Sequence, residues 1–151
     1  MTRKRVKGVP QLSLRVQYAV GERGLPTRPQ FRRWAQAALE HDVSMTLRIV
    51  GQKEGLALNR DFRGKDYATN VLTFVLHDKP PIEGDLALCA PVVAREAREQ
   101  KKTLIAHYAH LTLHGVLHLQ GYDHERDPDA KIMEARESAL MAKLGYADPY
   151  Q

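Results

Sequence analysis

Three histidines stand at 114, 118 and 124 in the stretch HGVLHLQGYDH, and their spacing suits a metal ion. On a helix of about 3.6 residues per turn, side chains four apart share a face, so the imidazoles of His114 and His118 can meet one ion. His124 lies beyond Gly121, which can take the left-handed conformation that returns a chain past a helix end. Three neutral imidazoles and one remaining position describe a catalytic zinc site, with one Zn2+ per chain, rather than a closed structural one.

The same helix holds more histidines: His107, His110, His114 and His118 step by three, four and four along one stripe. They cannot all bind one ion, because residues eight apart differ by about 12 Å of rise and a ligand nitrogen lies about 2.0 to 2.1 Å from zinc. Only His114 and His118 adjoin a glycine turn and a further histidine, so the expected metal set is His114, His118 and His124. His107 and His110 are left without an assigned role, and His41 and His77, which have no partners at ligand spacing, read as surface residues. Asp123 could orient a ligand imidazole or cap the turn before His124.

The spacing is that of the zinc-protease pattern HExxHxxGxxH except at one position, where Gly115 replaces the glutamate base. A peptidase-like hydrolase is therefore the runner-up, and the missing side chain should open room beside the metal for a bulky substrate. Zinc can still polarise a phosphoryl oxygen or lower the pKa of bound water toward ~7. Phosphodiester cleavage also needs a cation on the phosphate, which a guanidinium's planar fork suits. Arg60, Arg63 and Lys65 are equal candidates by spacing, with a solvated loop as the simpler account of each.

Several elements must position these groups. Leu12 to Val20 and Val43 to Ile49 alternate as half-buried strands, and Pro29 opens a helix on which Phe31, Trp34, Ala35, Ala38 and Leu39 recur. Trp34 is thereby a core anchor. Gly51 to Asn59 reads as a short helix, followed by a loop at Arg60 to Thr69. Val71 to Leu76 and Leu86 to Ala90 read as a hairpin, with turn signals at Lys79-Pro80-Pro81 and Glu83-Gly84-Asp85 and with Cys89 as an inert core thiol. A helix runs from Pro91 to about Gln100. Thr103 begins the histidine helix, apolar around its circumference and so buried, and Asp127 and Pro128 cap a last helix to Leu144, with Ile132, Met133, Leu140 and Met141 as its apolar residues. The order implies a small α+β domain with a mixed sheet.

The chain of 151 residues is read as one domain, with residues 1–10 as a loose tail. Its single cysteine, lack of a spanning apolar run and lack of a signal segment fit a soluble, cytoplasmic protein with no membrane association. Lysine and arginine exceed aspartate and glutamate by 23 to 18, a net +5 that fits an anionic partner without demanding one. The clusters Arg3, Lys4, Arg5, Lys7 and Arg28, Arg32, Arg33 read as solvated charge.

From Leu12 to Tyr150 the sequence resembles the YbeY family of bacterial endoribonucleases, which mature the 3′ end of small-subunit ribosomal RNA. The resemblance rests on HGVLHLQGYDH with Gly in second place, on LNRDFRGKDYATNVLTF at 58–74, on EGDLALC at 83–89 and on LGYADPY at 144–150. It implies zinc on His114, His118 and His124, a functional arginine at Arg63, and a mixed four-stranded sheet packed with about five helices. It also implies single-stranded RNA and ribosomal RNA as substrates, and contact with the small ribosomal subunit in ribosome quality control. Val75 departs from the proline often found there in the family, which leaves room for a longer strand ladder.

Arg63 would then stabilise charge developing at the phosphate, while the nucleophile could be water or the RNA 2′-hydroxyl. A second alternative is a non-catalytic ribosome-assembly factor with a structural zinc.

Overall fold

The computed structural model describes residues 8–151, so the basic cluster Arg3, Lys4, Arg5 and Lys7 and most of the expected tail lie outside the described residues. Alternating burial sets the strands. In β1 (Leu12–Tyr18) Ser13, Arg15 and Gln17 are exposed, and in β2 (Val43–Val50) Val43, Met45, Leu47 and Ile49 are fully buried. With β3 (Val71–His77) and β4 (Ile82–Cys89) they form one sheet of order β1-β2-β4-β3. β1, β2 and β4 run parallel and β3 pairs antiparallel with β4, so the sheet is mixed and β3 is an edge.

Five helices complete an α+β fold: α1 (Arg28–Ala37), α2 (Gln52–Arg63), α3 (Ala90–Glu99), α4 (Leu104–Leu119) and α5 (Asp127–Lys143). Thr27 caps α1 through a capping box with Gln30, and Pro29 sits in its first turn. Thr103 caps α4, which lies against the sheet between α1, α3 and α5. Phe31, Trp34, Met45, Leu47, Leu86, Leu113 and Met133 meet in the main core, so Trp34 is the anchor its spacing indicated. A smaller cluster of Val50, Ala68, Cys89 and Val92 lies on the other sheet face under α2, and burial pushes the Cys89 thiol up, consistent with an inert core residue. No helix among the described residues is long and apolar enough to cross a membrane.

Three element boundaries and the burial of one residue differ from the sequence reading. α2 continues past Asn59 to Arg63, so Arg60 and Arg63 are helical; Gly64, at φ 68°, is the residue that ends the helix, its N–H bonded to the Arg60 carbonyl. Glu83, Gly84 and Asp85 belong to β4 rather than to a turn. Gly84 is required there because a Cβ would overlap Leu119 and come within 2.6 Å of the Phe74 carbonyl. Arg126, not Asp127, precedes the first turn of α5, where Asp127 and Asp129 complement the helix dipole. Ile132 is 61% exposed, and the buried face of α5 is Met133, Glu137, Leu140 and Met141.

Candidate active site

The end of α4 presents His114 and His118 one turn apart, and the following loop brings His124 back over both. The ring of His124 lies 5.1 Å from that of His114 and 5.8 Å from that of His118, centroid to centroid. Gly121 takes φ 104° at the reversal, as its place in the motif required. The loop is tied down on both sides of that glycine. Gln120 bonds the backbone of Ala38, Glu40 and His41, and the Tyr122 hydroxyl donates to Glu40 at 2.8 Å.

Two of the three imidazoles are held in a defined tautomer. A carbonyl can only accept, so the 2.9 Å contact between His118 Nδ1 and the Tyr122 carbonyl places a proton on Nδ1. His114 Nδ1 lies 3.1 Å from Oε1 of Glu137, a side chain buried completely in α5. Burial alone would raise the Glu137 carboxyl, but hydrogen bonds from His110 and His114, with the charge of those rings, hold it at about 2. An ionised carboxylate also only accepts, so His114 Nδ1 donates. With the proton on Nδ1, the neutral form of either ring carries its lone pair on Nε2, the form in which an imidazole binds a metal.

Among the described residues no three His, Cys, Asp or Glu side chains are already gathered in the geometry of a bound ion. The donor chemistry nonetheless fits one: two imidazoles anchored through Nδ1, and a third on an exposed loop beside them. His110 is drawn away from this group, with Nε2 2.7 Å from Glu137, and His107 is bonded to Glu96 at 2.9 Å. His41 and His77 are exposed, as their isolation in the sequence indicated.

The three histidines open on a cavity of about 300 Å³ whose wall includes Phe62, Arg63, the β3 segment 71–74 and Glu125. Arg63 is the last residue of α2 and is exposed. Of the three cations that spacing left equal, it alone lines this cavity: Arg60 lies 3.6 Å from Asp61 in an exposed ion pair, and Lys65 follows the Gly64 turn on the surface. The resulting arrangement can bind a cation at three imidazoles and an anion at a guanidinium across one cleft.

Gly115 does not open room beside the metal, contrary to the expectation from the motif. Its missing side chain faces the sheet, where a Cβ would overlap Leu86 Cδ2 and lie 2.8 Å from Leu86 Cγ. The glycine lets α4 approach β4 closely here, and a larger side chain at this position would have to displace Leu86. Asp123 accepts the Glu125 N–H at 3.1 Å, so its carboxylate is used in capping the turn.

Glu137 is the buried partner of the histidines that the sequence analysis missed. It bridges His110 and His114 through Oε1 and accepts the Tyr150 hydroxyl at 3.0 Å through Oε2. Its signal was its register: it lies four residues after Met133 and four before Met141, at a core position of α5. A carboxylate there needs buried partners, and the histidine stripe of α4 supplies them.

Residues 26–145 match the family described as YbeY, endoribonuclease YbeY. The chain is 60% identical over 142 residues to an endoribonuclease YbeY of Methylobacillus flagellatus, covering 94% of this chain and 95% of that one. It is 56% identical to the endoribonuclease YbeY of Nitrosomonas europaea, over 93% of this chain and 85% of the relative. A Thermotoga maritima protein solved in solution superposes with a TM-score of 0.55 at 25% identity, covering 91% of this chain and 99% of that one. The family match runs from α1 through α5 and so includes the elements that carry the histidine cleft and Arg63, and the chain belongs to the endoribonuclease YbeY family.

Proposed function

We propose that this single-domain chain is a metal-dependent, single-strand-specific endoribonuclease acting in the 3′-end maturation of small-subunit ribosomal RNA and in ribosome quality control. Its partners are then single-stranded RNA, ribosomal RNA and the small ribosomal subunit, and its compartment the cytoplasm. The observation that carries this reading is one cleft lined by His114, His118, His124 and Arg63 in a chain of this family.

His114, His118 and His124 would hold the ion, one Zn2+ per chain, given an all-nitrogen donor set that suits zinc. When bound, zinc supplies Lewis acidity toward a phosphoryl oxygen and lowers the pKa of water. Arg63 binds the scissile phosphate and stabilises the charge that develops on it, while Arg60 and Lys65 contribute to holding RNA along the same helix end. Glu137 and the Tyr122 carbonyl keep the imidazoles of His114 and His118 oriented toward the cleft.

A metallopeptidase needs a carboxylate base beside the first histidine, and this chain has Gly115 there, its missing side chain facing Leu86. The test is metal content together with cleavage. Purified protein should contain about one zinc per chain and cut single-stranded RNA, with cleavage abolished by chelation and by His114→Ala. Persistent cleavage after both treatments, or robust protein hydrolysis lost on chelation, would reject the assignment. A 2′,3′-cyclic phosphate end on the product identifies the RNA 2′-hydroxyl as nucleophile; a 5′-phosphate with a 3′-hydroxyl identifies water.

A further inference from the structure

A second cavity, of about 420 Å³, lies on the sheet face opposite α4 and shares Phe62 and Phe74 with the histidine cleft. The two rings meet edge to face, with centroids 5.0 Å apart, and so form a common wall between the cavities. Phe62 is 66% exposed and Leu76 68% exposed, although each is large and apolar, and Leu58 also lines this cavity. Phe62 also directly precedes Arg63 in α2.

We propose that this second cavity is a base-binding subsite for the RNA, in which an unpaired base beside the scissile phosphate stacks on Phe62. The inference rests on the ribonuclease reading of the histidine cleft. Charge selects the base over a phosphate. The one cation in the cavity, Arg48, is already neutralised, with Nε and Nη2 bonded to Glu54 at 2.6 and 3.0 Å and Nη1 to Gln17 at 3.1 Å. The Asp85 side chain makes no hydrogen bond or ion pair among the described residues, which leaves a carboxylate facing any occupant. A phosphate would be repelled there and drawn to Arg63 on the other side of the wall.

A base fits these features. Its π-face covers the exposed ring, its edge N–H groups can donate to Asp85, and the Gln17 amide N–H is free to donate to a base carbonyl. The arrangement places a phosphate at Arg63 and the adjoining base against Phe62, one residue earlier on the same helix end. Stacking of this kind accepts any base, and the lone carboxylate favours bases with an N–H donor on the exposed edge.

Steady-state cleavage by the metal-loaded protein tests the subsite. Phe62→Ala should raise KM for single-stranded RNA by about 5- to 100-fold, the range that base–aromatic stacking supports, with kcat near wild type and Phe62→Tyr restoring KM. The salt dependence of KM should not change, since no phosphate contact is lost. An abasic nucleotide placed beside the scissile phosphate should weaken wild-type binding to the same degree and add nothing in Phe62→Ala. Phe62→Leu, which keeps an apolar contact with Phe74 but not the aromatic face, guards against a folding defect and should resemble Phe62→Ala. Wild-type RNA cleavage with no effect of Phe62→Ala, or equal abasic penalties in wild type and variant, overturns the subsite alone and leaves the exposed apolar face to a protein partner. Absence of RNA cleavage by the wild type overturns both readings.

Discussion

The Glu137 carboxylate on α5 lies 3.1 Å from Nδ1 of His114 on α4, and the same oxygen lies 2.7 Å from Nε2 of His110. One buried anion thus sets the proton position on a ring that faces the cleft, from the opposite side of the helix pair. Changes to groups that hold a metal-binding imidazole typically weaken affinity by about 10- to 100-fold. Glu137→Gln should therefore loosen the metal by that factor while the protein stays folded, as read by competition with a chromophoric chelator and by thermal melting. Unchanged affinity would remove the positioning role of Glu137.

Arg63→Ala should lower kcat for RNA cleavage by about 100- to 1,000-fold, as loss of one donor to a developing anion does elsewhere. Arg63 is exposed, so its removal should leave the melting temperature unchanged. Arg60→Ala, which removes only an exposed ion pair with Asp61, should leave kcat within a few-fold of wild type. Equal losses in the two variants would contradict the separate place of Arg63 in the cleft.

Gly115→Ala should destabilise the fold by about 1 to 3 kcal/mol, because an added methyl overpacks the α4 contact with Leu86. The denaturant midpoint reads this directly. Gly115→Ala combined with Leu86→Ala should recover part of the loss. A neutral Gly115→Ala variant would mean that the motif glycine serves the cleft rather than the packing.

His107 is buried, and burial pushes its pKa below the ordinary histidine value, against the opposing hydrogen bond to Glu96. The unfolded chain therefore takes up this proton first as pH falls. The contribution is fully present above about 6.5, the ordinary histidine value, and is lost as pH falls below it toward the lowered folded value. The wild-type stability slope should exceed that of His107→Gln by up to about 1.4 kcal/mol per pH unit between those limits. Equal slopes in urea melts over that range would contradict a buried neutral ring.

Much of this architecture was readable from periodicity. Strand alternation located β1 and β2, and the helical recurrence of Phe31, Trp34 and Ala35 located α1, because each rests on one-sided burial by a regular element. Boundaries set by tertiary contact were not readable. Gly84 looks like a turn signal until Leu119 is seen packed over it, and Gly115 looks like open space until Leu86 is seen beneath it. Likewise the histidine spacing pointed to one cleft, but the choice of Arg63 over Arg60 and Lys65 needed the extra turn of α2 that ends at Gly64. Glu137 lies 23 residues from its partner His114, and no local pattern joins them.

The most direct test of the central claim is the 3′ end of small-subunit ribosomal RNA in cells whose only copy of this protein is wild type or His114→Ala. RNA cleavage at this cleft predicts mature ends with the wild type and accumulation of 3′-extended precursor with His114→Ala at equal protein levels. Identical mature ends in both would contradict it.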